Sequence, residues 1–395
     1  MNISKSIIMG KWNLLNFWAK EKKKKEVRYI LSLDGGGMRG IIPSYILSRI
    51  EDDLKRTFND KRPLYSHFDL IAGTSTGALI AIAMTAPVTG YYFEEKNGHY
   101  PVYDKITRGK LIKKESVVFR GEIEELASAK EILDLYLEHG SEIFKSPKGL
   151  KNLFGPIFND RYDGNAFDSF LLKILSQTKL SECKVPTIAV SFDTNTSSPY
   201  IFSSEDSHGI LAWEAARASS AAPTYFPPVV LIDRENGNNL NLIDGGVAAN
   251  NPSLLAYKEA RKLYPDADEF RILSLSTCAP KHSIDVENAS SGAVGWANPL
   301  FKAYSEAQLA VADIVAQSIK DVFYTRIWAP VLGKKIKLDD YSQGSIDTLM
   351  DVAEKTYTEC KKEIDAFVKE IAMEETHECV KLVNKPELIE DRRDL

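Results

Sequence analysis

Two glycine-rich turns constrain the fold of this chain more than any other feature of its sequence. The segments Asp34–Gly40 and Gly73–Gly77 follow the apolar runs Tyr29–Leu33 and Phe68–Ala72, and each precedes residues with helical periodicity. Apolar runs of this length are typical of strands that are buried on both faces. Strands that alternate with helices predict a mostly parallel sheet. We therefore predict an α/β protein with three layers, α/β/α, in which helices cover both faces of a central sheet.

The same alternation continues toward the C-terminus. Further strands are predicted at the apolar runs Thr187–Phe192, Tyr200–Ser203, Leu240–Ile243 and Arg271–Ser276. The pattern around residues 105–158 is charged and helical, which predicts a helical insertion or cap beside the sheet. The predicted organisation has three parts: an N-terminal segment of residues 1–27, a main domain of residues 28–299 that includes the insertion, and a mainly helical C-terminal region of residues 300–395 packed on it, with one strand near Tyr324–Pro330.

Composition excludes several classes of protein. Hydrophobic residues make up 44% of the chain and charged residues 27%, which is ordinary for a globular protein. The net charge of −5 gives no support to a nucleic-acid partner. The four cysteines are widely spaced, the six histidines are scattered, and no calcium loop is visible. We therefore predict neither a metal nor another cofactor, and a reducing, cytoplasmic environment.

The N-terminal segment has two interpretations. Residues 1–27 combine aliphatic residues with Trp12 and Trp18, and the run Lys22–Lys25 follows them. A secretory signal would place its charges before the apolar core. The segment is either a frayed helix with solvated charges or an interfacial anchor whose lysines meet anionic head groups. The uncharged stretch Leu70–Val88 is long enough to span a membrane, but the turn at Gly73–Gly77 would split it.

The first glycine-rich turn is suited to holding an anion. Its consecutive glycines leave backbone N–H groups unobstructed, and the N-terminus of the following helix adds partial positive charge. Gly35, Gly37 and Gly40 also satisfy the spacing of a dinucleotide-binding loop. That fingerprint expects an acidic residue at the end of the next strand, where Ala72 and Gly73 lie instead. We therefore favour an anion-binding loop over a nucleotide site or a purely structural turn.

The second turn matches the G-x-S-x-G nucleophile elbow in the strand-to-helix context that this motif requires. Gly73 and Gly77 would avoid steric conflict at the sharp turn, and Ser75 is the candidate nucleophile. A serine nucleophile needs a base, for which Asp244, after the run Leu240–Ile243, is the candidate. An Asp-Gly-Gly sequence is by itself more often a turn. The carboxyl ends of strands in an open α/β sheet gather at one crevice, however, and this predicts that Asp244 lies beside Ser75.

Through these motifs, the sequence resembles the patatin-like phospholipase family over about residues 28–280. Asp34–Gly40 resembles the DGGGxRG loop of that family, and Gly73–Gly77 resembles its GxSxG elbow. Asp244–Gly246 is similar to its DG[GA] motif, and Ala221–Pro228 to its AAPTYFPP segment. One departure is Ser276-Thr277-Cys278, where relatives usually carry Gly-Thr-Gly.

The resemblance implies an acyl-hydrolase of the phospholipase A or lysophospholipase type that works without a histidine. Ser75 would attack the ester carbonyl and form an acyl-enzyme, and Asp244 would act as the base. The oxyanion would be held by backbone N–H groups of Gly35, Gly36 and Gly37. Supporting roles are implied for Arg39, Gly73, Gly77 and Gly245. The implied substrate is a phospholipid or another acyl lipid, met at a peripheral membrane surface.

Three alternatives stay open at this point. A conventional Ser-Asp-His triad could use His282 or His377, which both follow Asp244 in the chain. The chain could also be a binding module that has kept the fold without turnover. Finally, it could be an esterase that stays inactive until a regulatory ligand or protein partner docks on its helical C-terminal region.

Overall fold

The computed structural model of this chain describes residues 25–95, 98–99, 117–144, 162, 164–207, 209–232, 237–277, 292–329 and 336–374. The strands are β1 (Val27–Leu33), β2 (Leu70–Thr74), β3 (Val88–Glu95), β4 (Gly98–His99), β5 (Val117–Glu125), β6 (Thr187–Asp193), β7 (Ser198–Ser203), β8 (Val229–Ile232), β9 (Asn239–Asp244), β10 (Glu269–Leu275) and β11 (Val322–Ile327). The α-helices are α1 (Ile41–Thr57), α2 (Thr76–Thr85), α3 (Ala129–Ile143), α4 (Gly164–Leu175), α5 (Ala212–Ser219), α6 (Gly246–Ala249), α7 (Ser253–Leu263), α8 (Gly292–Ser318), α9 (Gln343–Glu359) and α10 (Lys361–Met373).

The central sheet is mixed, with its strands in the order β11-β10-β1-β2-β6-β9-β8 and with β7 also paired to β6. Strands β11, β10, β1, β2 and β6 are parallel to their neighbours, whereas β7 and β9 run antiparallel to β6. The prediction of an α/β fold with a mostly parallel central sheet is confirmed. The predicted strands of the main domain and the strand near Tyr324–Pro330 all lie in this sheet.

Strand β6 has an unusual distribution of neighbours. Along one edge, β7 pairs with residues Ile188–Asp193 of β6. The other edge is shared: β2 pairs with the first part of β6, through Val190, and β9 pairs with the second part, from Ser191. Because β2 is parallel to β6 and β9 is antiparallel to it, these two strands approach each other end to end.

The segment between α2 and β6 differs from its prediction in one part. Residues 88–125 contribute β3, β4 and β5, which form a separate three-stranded antiparallel sheet. The predicted helical insertion at about 105–158 is therefore wrong for residues 117–125, which form β5, although α3 follows as a helix. This excursion closes on itself, since the Lys184 N–H donates to the carbonyl of Thr85 over 2.9 Å.

The C-terminal helices are packed onto the main core. Helix α1 buries Ile42, Ile46 and Ile50, as its periodicity predicts. Helices α9 and α10 lie against α1. The ring of Phe367 on α10 stacks on that of Phe68, with centroids 6.3 Å apart, and meets Tyr29 of β1 edge-on at 5.9 Å. These contacts connect the end of the described chain to its first strand.

Two further predictions concern the membrane and the domain boundaries. No helix in the described ranges is long and apolar enough to cross a membrane. Residues 1–24, and with them most of the predicted N-terminal anchor, lie outside the described residues, as do His282 and His377. The boundaries at residues 27 and 299 stay predictions.

A single substitution tests whether α10 belongs to the main cooperative unit. Phe367 is buried, so Phe367→Ala should lower the free energy of unfolding by about 3–5 kcal/mol because it leaves a cavity against Phe68 and Tyr29. The measurement is urea unfolding followed by circular dichroism. Met373→Ala on the same helix is the control, since Met373 is 69% exposed and should change stability by less than about 0.5 kcal/mol. A separate early transition for the C-terminal helices, with the main transition unmoved, would contradict this expectation.

Candidate active site

Ser75 lies at a sharp turn between β2 and α2. Its φ of 54° and ψ of −122° are a strained conformation for a residue with a side chain. The turn brings the two flanking glycines into direct contact with backbone. A β-carbon on Gly73 would overlap the carbonyl group of Gly77, and a β-carbon on Gly77 would overlap the carbonyl group of Leu33. Only glycine fits at these two positions.

The pairing of β6 brings Asp244 to Ser75. Thr74, the last residue of β2, pairs with Val190, and Asp244, the last residue of β9, pairs with Ser191. Since Val190 and Ser191 are consecutive, the residue that follows β2 and the residue that ends β9 lie at the same place on one edge of β6. Asp244 therefore meets Ser75 because two opposed strands end there. The two carboxyl ends that meet belong to β2, which is parallel to β6, and to β9, which is antiparallel to it.

Asp244 is a buried carboxyl group that accepts a hydrogen bond from the Gly246 N–H at 2.7 Å. Burial raises the pKa of Asp244 to about 6, and the nearby Ser75 hydroxyl and the Gly246 N–H act in the opposite direction because they favour the charged form. The group is therefore mostly ionised at neutral pH and is a stronger base than an exposed aspartate.

Ser219, at the end of α5, connects the nucleophile to the junction on β6. Its hydroxyl accepts from the Ser75 N–H at 2.9 Å and donates to the Val190 carbonyl at 2.5 Å. Its own carbonyl accepts from the Gly245 N–H at 3.3 Å. A β-carbon on Gly245 would overlap the carbonyl of Val190. Ser219 could not be predicted from the sequence, because a serine two residues before an apolar segment carries no signal of its own.

The glycine loop after β1 lies beside Ser75, close enough that a β-carbon on Gly35 would touch the Ser75 β-carbon. The Gly35 N–H departs from expectation: it donates to the carbonyl of Asn250 over 3.1 Å and is not available to a substrate oxygen. In the described part of the chain, the N–H groups of Gly36 and Gly37 have no acceptor. Two of the three predicted donors are thus available.

The same loop is held from several sides. The Gly35 carbonyl accepts from the Thr277 hydroxyl at 2.5 Å and from the Asn250 side-chain amide at 3.3 Å. The guanidinium of Arg39 donates to the Gly36 carbonyl through Nε at 3.2 Å, so Arg39 braces the loop. Thr277 is the central residue of Ser276-Thr277-Cys278, the segment that departs from the Gly-Thr-Gly pattern of the family. The hydrogen bond from its hydroxyl to the Gly35 carbonyl forms without a glycine on either side of it.

Asp34, the residue before the glycines, forms a buried ion pair with Arg326 of β11. Two parallel hydrogen bonds join them, from Nη1 to Oδ1 at 2.8 Å and from Nη2 to Oδ2 at 2.5 Å. Farther along, the Met38 N–H donates to the Leu338 carbonyl at 2.8 Å. Local sequence gives no sign of these partners, because they lie about 300 residues away in the chain from the groups that they contact.

An apolar cavity of about 30 Å³ opens between α2, α3 and α4. Its walls include Leu79 and Ala83 of α2, Leu135 and Tyr136 of α3, and Ile174 of α4. The Tyr136 hydroxyl is hydrogen-bonded to Thr76, the residue after the candidate nucleophile. Leu79 lies about 6 Å along the helix from Ser75 at 1.5 Å per residue. The cavity therefore begins within one helical turn of the site.

No metal-binding group was found within the described ranges: they hold no cluster of three or more His, Cys, Asp or Glu side chains that could bind an ion.

Comparison with known proteins gives a consistent family. The family described as patatin-like phospholipase matches residues 31–257. Patatin-like protein 1 of Arabidopsis thaliana is 30% identical, over 84% of this chain and 78% of its own length. Patatin-like protein 2 of the same plant is 30% identical over 88% of each chain. A potato protein, Solanum tuberosum probable inactive patatin-3-Kuras 1, is 28% identical over 94% of each chain.

The burial of Asp244 predicts a pH-dependent cost in stability. A folded-state pKa of about 6, above the ordinary value of 3.8, means that folding favours the neutral acid. That stabilisation is full below pH 3.8 and is lost as the pH rises through about 6. Asp244→Asn should therefore raise the free energy of unfolding at pH 8 by about 3 kcal/mol, and the gain should disappear near pH 4. Urea unfolding across this range measures it, and an equal effect at both pH values would count against it.

Proposed function

The chain belongs to the patatin-like phospholipase family, and from this premise we propose that it is a serine acyl-hydrolase with a Ser75–Asp244 dyad. Family membership supports lipid acyl-hydrolase activity. The observation that carries the dyad is the strand pairing that brings Ser75 and the buried carboxylate of Asp244 to the same place on β6, close enough for the Ser75 hydroxyl to lower the pKa of that carboxylate. A strained nucleophile beside its base fits acyl transfer.

In the first step, the Ser75 Oγ bonds to the ester carbonyl carbon while its proton moves to Asp244. The pKa of about 6 leaves Asp244 ionised at neutral pH and able to accept this proton. The strained backbone at Ser75 holds the hydroxyl at the strand-to-helix turn, and the Ser75 N–H bond to Ser219 fixes that orientation.

The negative charge that develops on the carbonyl oxygen needs hydrogen-bond donors. We assign this role to the N–H groups of Gly36 and Gly37, since the Gly35 N–H is occupied by Asn250. A donor of this kind is worth about 3–4 kcal/mol of barrier in enzymes where one has been removed. Gly35 supports the site through its carbonyl, which Thr277 and Asn250 hold.

The tetrahedral intermediate then collapses. The bond to the alcohol oxygen breaks, the alcohol takes the proton from Asp244, and the acyl group remains on Ser75. Water attacks the acyl-enzyme and gives its proton to Asp244. The fatty acid departs as the Ser75 oxygen regains that proton, which restores the dyad.

The proposed substrate is a phospholipid or lysophospholipid met at a lipid surface. An acyl chain of such a substrate is apolar, and the lining of the cavity between α2, α3 and α4 is apolar and includes Leu79, about one helical turn from Ser75. Leu79, Leu135 and Ile174 in this lining are partly exposed. At about 30 Å³ the cavity has room for about one water molecule, so we place the acyl chain of the scissile ester along α2 on the premise that the three helices part to admit it.

Other functions are distinguished by experiment. A Ser-Asp-His triad would need His282 or His377, which lie outside the described residues. The described His67 bonds to Ile371, and His139 bonds to Glu142. A binding module would not react with a fluorophosphonate at Ser75, and an enzyme that needs a regulatory partner would label but turn over slowly when alone.

The decisive measurement is product analysis by mass spectrometry on defined phospholipids. We expect wild type to release fatty acid, and both Ser75→Ala and Asp244→Ala to lose activity by at least about 10³-fold. His282→Ala should retain wild-type turnover. Circular dichroism controls for folding. Activity that survives Asp244→Ala, or that disappears with His282→Ala, would exclude the dyad.

The acyl cavity is tested by chain-length preference. Ala83→Phe fills the cavity, so kcat/KM for a palmitoyl ester should fall about tenfold or more, because a pocket discriminates strongly by chain length. Hydrolysis of a butyryl ester is the internal control and should stay within about twofold, since a short chain ends before Ala83. Equal loss for both esters would place the acyl chain elsewhere.

A further inference from the structure

The glycine loop has no side chains with which to hold its own shape. Gly35, Gly36 and Gly37 lose more conformational freedom on folding than residues with a β-carbon. Their N–H groups can stabilise an oxyanion only if they are fixed before the reaction. What fixes the loop must therefore come from its ends and from the surrounding structure.

At the entry to the loop, the strongest contact is the Asp34–Arg326 ion pair. Both side chains are almost fully buried, at 2% and 3% exposure. Strand β10 separates β11 from β1, so the guanidinium crosses the width of one strand, and on the way Nη1 also donates to Ser274 at 2.8 Å. Two bonds of fixed spacing define both the position and the plane of the Asp34 carboxylate.

Burial opposes the charge on both partners, and it raises the pKa of the Asp34 carboxyl although Arg326 acts in the opposite direction. Burial by itself would lower the pKa of the Arg326 guanidinium, but the Asp34 carboxylate raises it overall, and Asp313 adds to the same effect. Asp313 also accepts hydrogen bonds from Asn251 and Tyr324. Arg326 is thus held by a polar network in which Asp313 and Tyr324 lie outside the family-matched residues 31–257 and Asn251 lies inside them.

We propose that Arg326 is a positioning residue for the reaction, which acts through Asp34 to hold the N–H groups of Gly36 and Gly37 toward Ser75. The inference rests on the proposed function for the identity of the oxyanion donors. The catalytic groups remain Ser75, Asp244 and the loop N–H groups, and Arg326 touches none of the reacting atoms. The effect of Arg326 is geometric. Without its two hydrogen bonds to Asp34, the glycine loop can shift, and its N–H groups then no longer lie at hydrogen-bonding distance from the oxyanion.

The test uses two substitutions and a matched control. Arg326→Met removes the charge, and Arg326→Lys keeps it but replaces two parallel bonds with a single ammonium group. The control is Arg28→Met, which breaks the ion pair of Arg28 with Asp69 (3.0 Å) near the opposite end of β1. Arg28 lies seven residues before Gly35. Its substitution therefore tests the loss of a partly buried ion pair on the same strand without a contact to the loop.

The first readout is the rate at which a fluorophosphonate labels Ser75. In this reaction the Ser75 oxygen bonds to phosphorus, fluoride leaves, Asp244 takes the hydroxyl proton, and the phosphoryl oxygen occupies the oxyanion position. We expect about 100-fold slower labelling for Arg326→Met, the usual effect of a displacement of about 1 Å, and partial recovery in Arg326→Lys. Arg28→Met should label within about threefold of wild type, since it leaves the loop in place.

The second readout distinguishes a displaced oxyanion loop from a general loss of order in the active site. A trifluoromethyl ketone forms a tetrahedral oxyanion on Ser75, whereas an ether phospholipid binds without reacting. Arg326→Met should weaken the binding of the ketone by about the same 100-fold and leave the binding of the ether lipid unchanged. The reason is that only the bound ketone uses the oxyanion donors. If Arg326→Met does not fold, the same comparison is made with Arg326→Lys alone.

Wild-type labelling and ketone affinity in a folded Arg326 variant would overturn the inference, and so would an equal loss in Arg28→Met. The proposed function fails differently. A wild type that labels rapidly but releases fatty acid from no phospholipid would contradict the lipid assignment and leave the role of Arg326 measurable by labelling.

Discussion

The shared edge of β6 is the constraint on which the rest of the site depends. Strands β2 and β9 arrive from opposite directions and end at consecutive residues, Val190 and Ser191. This places Ser75 and Asp244 against each other without a turn or loop that reaches between them. As a result, the Val190 carbonyl has close neighbours on two sides. It accepts a hydrogen bond from the Ser219 hydroxyl, and it lies so near position 245 that only glycine fits there. A buried carboxylate beside the nucleophile follows from strand pairing, and its raised pKa follows from that burial.

The sequence predicted the elements of this fold better than their contacts. The strands of the main sheet and helix α1 were predictable because apolar runs and helical periodicity are local signals. The expectation for residues 117–125 was wrong because charged residues alternate there with strand-forming ones, and charge was given more weight. The three motifs identified Ser75, Asp244 and the glycine loop as candidates, and their catalytic roles remain a proposal. What local patterns could not supply were Ser219, Asn250 and Arg326, whose contacts depend on which distant strands are neighbours.

The glycine loop shows why the chain beyond the matched region matters. Thr277, Arg326 and Leu338 all lie after residue 257, and each contacts a residue between Asp34 and Met38. Strands β10 and β11 continue the same sheet as β1, so the contacts of Thr277 and Arg326 come from the sheet itself, whereas Leu338 lies between β11 and α9. The early motif therefore acquires its shape only when the last strand is in place, and local sequence does not specify it.

The chain segment between α2 and β6 begins and ends at neighbouring points, and this affects how the sequence of such a protein can diverge. The chain leaves at Thr85 and returns at Lys184, and a single backbone hydrogen bond joins the two points. The chain between these two points can change in length while the ends stay together, since closing a longer loop costs little extra free energy. Helices α3 and α4 also bury side chains such as Ile132 and Phe167 in the main core. Two walls of the apolar cavity belong to this segment. The chemistry and the fit to a substrate are thus separable parts of one chain, and selection can alter the second while the strands that carry the first stay fixed.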